Sequence, residues 1–564
     1  MKVSFTKIAF VLLLLISNLS FTQWTNDPSV NTPVCVWNDY QHSQQIISDH
    51  MGGAIIAWLD FRSGNADIFI QRISEGGYAL WDDGGKAVIT NAGNQFNHKI
   101  VKDGEGGCIL TWEDDRNGNS DIYAQRIDSS GNLVWDSDGV VICNSPLDQE
   151  DPQIVTSGSG AIILWEFKQG AAGETGLYAQ RINSTGQQMW GVNGVPVATS
   201  PFPDPIQLLP KITDDGSGGA VIAWTDFSGA NDNIYAQRIS NSGNVFWPQN
   251  GLPVSTTAVN KRFQDIINVG NGEFVVSWNS NISFDDWDLR AQKINTLGNI
   301  LWNIDGLVIC SSDVSFNPSA IAYDNNNSVI IAWEDRRANP PGTIYCQKLS
   351  LDGSIQWQQN GLSVSSTTGF QYQAGLVCDS NGNSIVCWQG GISSHDIFAQ
   401  KFDGSGNRLW VPEGMGVCIA SDNQSRHNII ITSDGDFIVS WDDERGTDSD
   451  IYAQSINALV TTVDNSTLNL PERFALEQNY PNPFNPSTTI KFIIPVTLSG
   501  VEGSLVTLKI YNAIGKEVAT LANEEKPAGI YEVEWNATGL PSGVYLYRLQ
   551  ADSFVGTNKM ILLK

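Results

Sequence analysis

HKIVKDGEGGCILTWEDDRNGNSDIYAQRIDSSGNLVWDSDGVVIC, residues 98–143, holds four runs of β-prone residues separated by turns rich in Gly, Asp, Asn and Ser. His98 to Lys102 reads as a first strand, Asp103 to Gly107 as a turn, and Cys108 to Trp112 as a second strand. Ser120 to Ile127 reads as a third strand and Leu133 to Cys143 as a fourth. Alternation puts Tyr123 and Gln125 on one face of the third strand, and Ile122, Ala124 and Arg126 on the other.

Outward from this stretch the pattern recurs. A tryptophan closes the second strand at Trp58, Trp112, Trp165, Trp224, Trp278, Trp333, Trp388 and Trp441, spaced 53 to 59 residues apart. A second series follows at Trp81, Trp135, Trp190, Trp247, Trp302, Trp357 and Trp410, and it is one member short. The missing member is Trp24: followed by Asp27, Val30 and Cys35, it matches Trp135, Asp138, Val141 and Cys143 with three residues inserted. A repeat of this length with four strands per unit predicts a propeller blade. A last unit completed by the first residues predicts a ring, whereas a linear solenoid would need a cap at each end. The expected architecture is all-β: an eight-bladed β-propeller closed by its N-terminal strand over residues 23–459, with seven blades plus an irregular unit as the alternative count.

Residues 1–22 carry Lys2 and Lys7, then an apolar run from Ile8 to Ile16 and small polar residues, the pattern of a signal peptide too short to span a bilayer. No later segment reads as transmembrane. The 60 acidic against 32 basic residues give a formal charge of -28, which argues against nucleic acid and anionic membranes as partners. Of the 8 cysteines, Cys35, Cys143, Cys310 and Cys418 share one repeat position that Val197 and Val254 occupy elsewhere, so they read as buried free thiols. Cys378 and Cys387 flank one turn, where a cross-hairpin disulfide is the alternative.

Four units place the same charged pair after the tryptophan: Asp60 and Arg62, Asp114 and Arg116, Asp335 and Arg337, Asp443 and Arg445. Asp67, Asp121 and Asp450 follow in three of them. A carboxylate two residues before a guanidinium in a connecting loop makes a charge-assisted fork, and fourfold repetition favours a structural role over a catalytic one. A third-strand glutamine recurs in all eight units, as Gln71, Gln125, Gln180, Gln237, Gln292, Gln347, Gln400 and Gln454, with an amide suited to tying backbone between blades. The loop between strands two and three and the inter-blade loop emerge on one face. The inter-blade segments Asn144 to Asp151, Ala198 to Leu209, Ser311 to Pro318, Ser365 to Gln373 and Ser421 to Asn428 differ most, so binding is expected there.

Catalytic and cofactor signals are sparse. His42, His50, His98, His395 and His427 show no metal-ligand spacing, and neither a GxSxG elbow nor a phosphate-binding glycine loop is present. A glycosidase built on a pair of carboxylates stays open, because among 60 acids only geometry decides. Asp214 to Gly218 and Asp136 to Gly139 offer oxygens for calcium but do not fit the EF-hand loop. No other cofactor is implied. The Gly131-to-Trp135 spacing is one residue longer than a sialidase Asp-box, so that activity is not carried over.

The repeat ends at Asn457. Residues 460–472 read as a linker, and 473–564 as a small domain of short strands: Thr488 to Ile494, Val506 to Asn512, Tyr531 to Trp535, Gly543 to Gln550 and Lys559 to Leu563. FALEQNYPNPFNPSTTIKFIIP at 474–495, LKIYNAIGKEVATL at 508–521, LPSGVYLYRL at 540–549 and the terminal KMILLK carry a close resemblance to the C-terminal sorting domain of the type IX secretion system, itself similar to the Ig-like domain of flagellar hook-capping proteins. VTLSGVEGSL at 496–505 departs from the compact spacing, where a hairpin loop could absorb it. The resemblance implies export in two steps, with the secretion machinery as partner and recognition around Gly543, Tyr545, Lys559 and Lys564. The leading expectation is a secreted or surface-displayed module that binds an extracellular protein or glycan and is not an enzyme. A carbohydrate-active hydrolase or lyase and a structural or adhesive component are the alternatives.

Overall fold

The computed structural model describes residues 24–168, 175–200, 209–227, 229–283, 286–311, 319–337, 342–367, 369–391, 394–457, 475–476, 478–479, 481–494, 504–526, 529–551 and 554–563. The signal-peptide expectation at 1–22, the linker at 460–472 and Lys564 lie outside them. Two compact units divide at Leu459 and Val460.

Among the described residues the first unit holds eight four-stranded antiparallel sheets, each made in chain order from one repeat except the last. In the second repeat the strands are Gln95–Lys102, Cys108–Asp114, Asp121–Ile127 and Val140–Cys143. The middle two are buried at every residue, polar side chains included. Trp112 stands opposite Tyr123, their rings stacked at 6.2 Å. The fourth strand is shorter than the sequence reading: Leu133 makes only an isolated bridge to Ile127. Gly139 then turns the chain at φ 75, and a β-carbon there would sit 2.7 Å from the Trp112 ring. That close approach leaves the position to glycine.

Successive sheets share cores. Ile109, Ile122, Ala124, Trp135 and Cys143 of the second sheet pack with Ala161, Ile163 and Trp165 of the third. The first strand of each sheet lies against the first strand of the next, from Gln41–Ser48 through to Gln424–Ile431. Gln424–Ile431 in turn lies against Gln41–Ser48. The sheet containing Gln424–Ile431 takes its outer strand from the other end of the chain: Thr32–Cys35 pairs with Asp450–Ser455. Trp24, Val34 and Cys35 share a core with Ile438, Ile451 and Ala453 of that sheet and with Ile56 and Trp58 of the first.

The second unit has a three-stranded sheet, Ala475–Leu476, Ser487–Ile494 and Gly529–Asn536, and a four-stranded sheet ordered Glu517–Lys526, Ser504–Asn512, Gly543–Ala551, Phe554–Leu562. Phe484, Ile490, Phe492 and Trp535 pack against Val506, Leu508, Ile510, Tyr547 and Leu549, so the two sheets enclose one core. Glu517–Lys526 escaped the sequence reading because its second half, Asn523 to Lys526, is polar where a strand pattern alternates. Among the described residues no helix is long and apolar enough to cross a membrane.

Candidate functional site

The four charged turns have one geometry. Asp114 is fully buried; its Oδ2 accepts the Trp112 indole N–H at 2.9 Å, and its Oδ1 accepts the Arg116 backbone N–H at 3.1 Å and Nε–H at 2.7 Å. The Arg116 guanidinium also pairs with Oδ2 and lies 4.1 Å from the Tyr123 ring centroid. Asp60 with Arg62, Asp335 with Arg337 and Asp443 with Arg445 repeat the fork, with the indoles of Trp58, Trp333 and Trp441 donating at 3.0, 3.0 and 2.7 Å. In three of the four, the arginine also donates to a cysteine of the shared repeat position: Arg62 to Cys35 at 3.2 Å, Arg337 to Cys310 at 2.8 Å and Arg445 to Cys418 at 3.2 Å. Where Phe167 and Ser280 replace the aspartate, the buried indoles of Trp165 and Trp278 have no acceptor among the described residues.

The recurrent glutamine ties each repeat to itself rather than to its neighbour. Gln125 Nε2 donates to the Asp136 carbonyl at 2.7 Å, while its Oε1 accepts the backbone N–H groups of Arg126 and Trp135. In the last repeat, Gln454 donates to the Thr25 carbonyl at 2.7 Å, so residues after Trp24 take the place of Asp136. The inter-repeat tie falls to the second tryptophan: Trp135 Nε1 donates to Ser184 O at 3.0 Å in the next repeat, and Trp24 Nε1 donates to Glu75 O at 2.7 Å in the first.

On the face carrying the charged turns and inter-blade loops, a cavity of about 880 Å³ opens between the sheets that begin at Ala320, Phe370 and Gln424. Glu334, Tyr372, Gln373, Gln389, His395, Arg426 and His427 line it. A second hollow of about 670 Å³ shares Gln373 and Arg426 with the first and adds Tyr40, His42, Asp422, Asn423, Glu444 and Asp448. Arg426 spans the two; its Nη1 donates to Asp442 at 3.0 Å while its side chain stays 56% exposed. Asp442 is buried, and that burial pushes its carboxyl up to about 6, against the Ser43 backbone N–H and the Arg426 guanidinium, which favour the charged form.

His427 is buried on the cavity wall, and neither ring nitrogen finds a partner of good hydrogen-bond geometry. Burial pulls its pKa down to about 4, against a smaller raising effect of the backbone at Cys387 and Gln373. In the unfolded chain the same ring titrates at its ordinary value of about 6.5. Between those pH values the unfolded state holds the extra proton, so the contribution of His427 to stability is lost as pH falls through this window. Urea melts at pH 7 and pH 4 should show His427→Gln gaining up to about 3 kcal/mol on the parent chain over that interval. A constant difference at both pH values would refute the assignment.

None of the five lining residues His395, Arg426, His427, Gln373 and Glu334 carries a sequence motif. The one available signal is that they stand at or beside repeat positions where the units differ.

All eight cysteines are free and buried. Cys387 stands opposite Gly375 and Cys378 opposite Ser384, so the two thiols do not face each other across the hairpin. Burial raises Cys35, Cys378 and Cys418 to about 12. A thiol reagent at pH 8 should therefore find no reactive group in the folded first unit and eight after denaturation. In the Asp214 to Gly218 turn, Asp215 Oδ1 accepts the N–H groups of Ser217 and Gly219 and Oδ2 accepts Arg238, leaving little for calcium. Among the described residues no group of three or more His, Cys, Asp or Glu is arranged to hold a metal.

In the second unit Gly543 opens an inner strand of the four-stranded sheet, and Lys559 is exposed on the neighbouring edge strand, its carbonyl accepting Gln478 Nε2 at 2.8 Å. Tyr545 is buried instead, with its ring edge-on to Trp535 at 5.6 Å and its hydroxyl donating to Pro541 O at 2.9 Å. Its ring belongs to the core.

Residues 478–563 match the secretion system C-terminal sorting domain family. The chain is thus a secreted or cell-surface protein, addressed through this domain. No curated protein matches it in sequence. Among solved structures, the chain is similar to the α-L-arabinofuranosidase of Fusarium graminearum in complex with arabinobiose, at 10% identity over 64% of this chain and 92% of that one, with a TM-score of 0.34. It is likewise similar to the Penicillium chrysogenum α-L-arabinanase complexed with arabinobiose, at 12% identity, 56% and 95% coverage and a TM-score of 0.31. The endo-arabinanase from Bacillus licheniformis matches at 14% identity, 49% and 99% coverage and a TM-score of 0.26. Likeness this low assigns neither a reaction nor a blade number.

Proposed function

We propose that the first unit is a closed eight-bladed β-propeller that binds an extracellular glycan through the paired cavities on its loop-bearing face. The observation that carries this reading is the composition of the cavity wall. Gln373, Gln389 and Asn428 offer amides, Glu334 a carboxylate, Arg426 a guanidinium and Tyr372 an aromatic face, a mixture suited to a ligand rich in hydroxyl groups. The cyclic contact of first strands and the pairing of Thr32–Cys35 with Asp450–Ser455 support the closed count of eight. The Asp–Arg forks are scaffold in this reading, and Trp24 is the closing wedge. The second unit is an Ig-like sandwich that presents Gly543, Lys559 and Lys564 to the secretion machinery, and residues 1–22 are the signal peptide for the first export step.

A hydrolytic reading has one observation in its favour. Asp442, raised by burial to about 6 behind Arg426, and Glu334 are two carboxylates on the same face. Binding of the full chain to immobilised polysaccharides, with product analysis of each one retained, separates the readings. Retention without new reducing ends supports recognition, cleavage abolished by Asp442→Asn supports hydrolysis, and no retention refutes the glycan.

A further inference from the structure

The first strands share a distortion whose side chains do not repeat. Ser43, Asn97, Asp151, Leu209, Phe263, Gln373 and Arg426 all have positive φ, between 42 and 59. Each lies 14 or 15 residues before its first-series tryptophan, so seven of the eight repeats place a left-handed residue at one structural position. The eighth counterpart, Pro318, lies outside the described residues. In six of these strands the ladder to the second strand shifts register there, the mark of a β-bulge.

The bulges are held from the neighbouring repeat. Glu334 Oε1 accepts the Gln373 N–H at 2.9 Å, Glu113 Oε1 accepts the Asp151 N–H at 2.7 Å, and Asp442 Oδ2 accepts the Ser43 N–H at 2.9 Å. The turn thus recurs from repeat to repeat, and at these three bulges a carboxylate of the preceding sheet holds it.

The residue types are what make the position unusual. Every other left-handed residue among those described is Gly, Asn, Asp or His, the types that tolerate this conformation. The bulge position instead includes Ser, Leu, Phe, Gln and Arg, and no two of its seven occupants are alike. A branched or bulky side chain at positive φ is strained, and glycine would relieve it. Strain retained at this position in five of the seven repeats, with the side chain different each time, fits a surface selected for its contacts. Gln373 and Arg426 open into both cavities, and Leu209 is 41% exposed.

We propose that this ring of bulge side chains is the specificity surface of the propeller: residues held at strained positions so that each repeat presents a different group to one ligand. The inference rests on the glycan reading for the ligand class, and the stability arm of its test does not.

The test uses the full chain with Gln373→Gly, Gln373→Ala and Leu209→Gly. Thermal melts are combined with retention on immobilised neutral polysaccharides (β-glucan, arabinan, xylan) and uronate polysaccharides (polygalacturonate, alginate). Expected for Gln373→Gly is a Tm unchanged or raised by about 1–2 °C, since the strain is relieved, together with at least tenfold weaker retention. Gln373→Ala should weaken retention equally without raising Tm, because its β-carbon keeps the strain. A lower Tm in both glycine variants, or retention equal to the parent, overturns the proposal. If the parent chain retains no polysaccharide, the glycan reading alone fails. Melting then reports only on the strain, and a lowered Tm in the glycine variants rejects the ring as well.

Discussion

A chain lacking residues 24–36 is expected to lose about 5 kcal/mol or more of stability in its first unit and to aggregate at concentrations where the parent chain does not. The magnitude follows from what the segment touches. Trp24 is 6% exposed, and an aromatic of this size withdraws about 200 Å² from water, or roughly 5 kcal/mol gross at 25 cal/mol/Å². Val34 and Cys35, both buried, add to the core shared by the first and last sheets. Loss of the segment also strips Gln454 of its acceptor at Thr25, and Arg445 of its acceptors at Val30 and Asn31. Aggregation follows from a separate cause. Without Thr32–Cys35, the strand Asp450–Ser455 becomes an unpaired edge ready to pair with another chain. A peptide of residues 24–36 added in trans should restore part of the melting temperature by mass action. Equal melting temperatures with and without the segment would overturn closure by the N-terminal strand.

The pairing of the N-terminal strand with the last repeat was legible from Trp24 alone, because a repeat makes every unit a template for the others. The same logic located the charged turns and the glutamine, whose chemistry is identical in each copy. It misplaced the glutamine's partner, since a side chain that could reach either direction leaves no trace of its choice in spacing. Of the cavity, only its face was legible. Gln373, Arg426 and His427 occupy positions where repeats disagree, and an alignment of units treats disagreement as noise. Their meaning depends on a bulge that shifts the register of the first strand, and the fifteen-residue interval to the tryptophan does not report which residue turns left-handed.

Asp114→Ala is expected to cost about 3–5 kcal/mol, read as a urea melt of the full chain, and the chain itself shows which contact carries the loss. Two interactions go at once: the acceptor for the Trp112 indole, and the partner of the Arg116 guanidinium, whose side chain is only 13% exposed. An orphaned neutral donor costs about 1–3 kcal/mol, and a buried charge that loses its partner about 3–5 kcal/mol, the low end applying to Arg116 because its Nη1 keeps the Asp138 carbonyl at 3.0 Å. Among the described residues Trp165 and Trp278 already lack an acceptor, in sheets that have no arginine at the corresponding place, so an orphan indole is tolerated there. The stranded arginine is therefore the larger cost. It follows that removing the arginine as well should repair most of the damage: Asp114→Ala with Arg116→Ala is expected to be about 2 kcal/mol more stable than Asp114→Ala alone, although it lacks one more side chain. Simple additivity, with the double variant the less stable, would show that Arg116 contributes through its packing over Tyr123 and not through a charge the aspartate must answer.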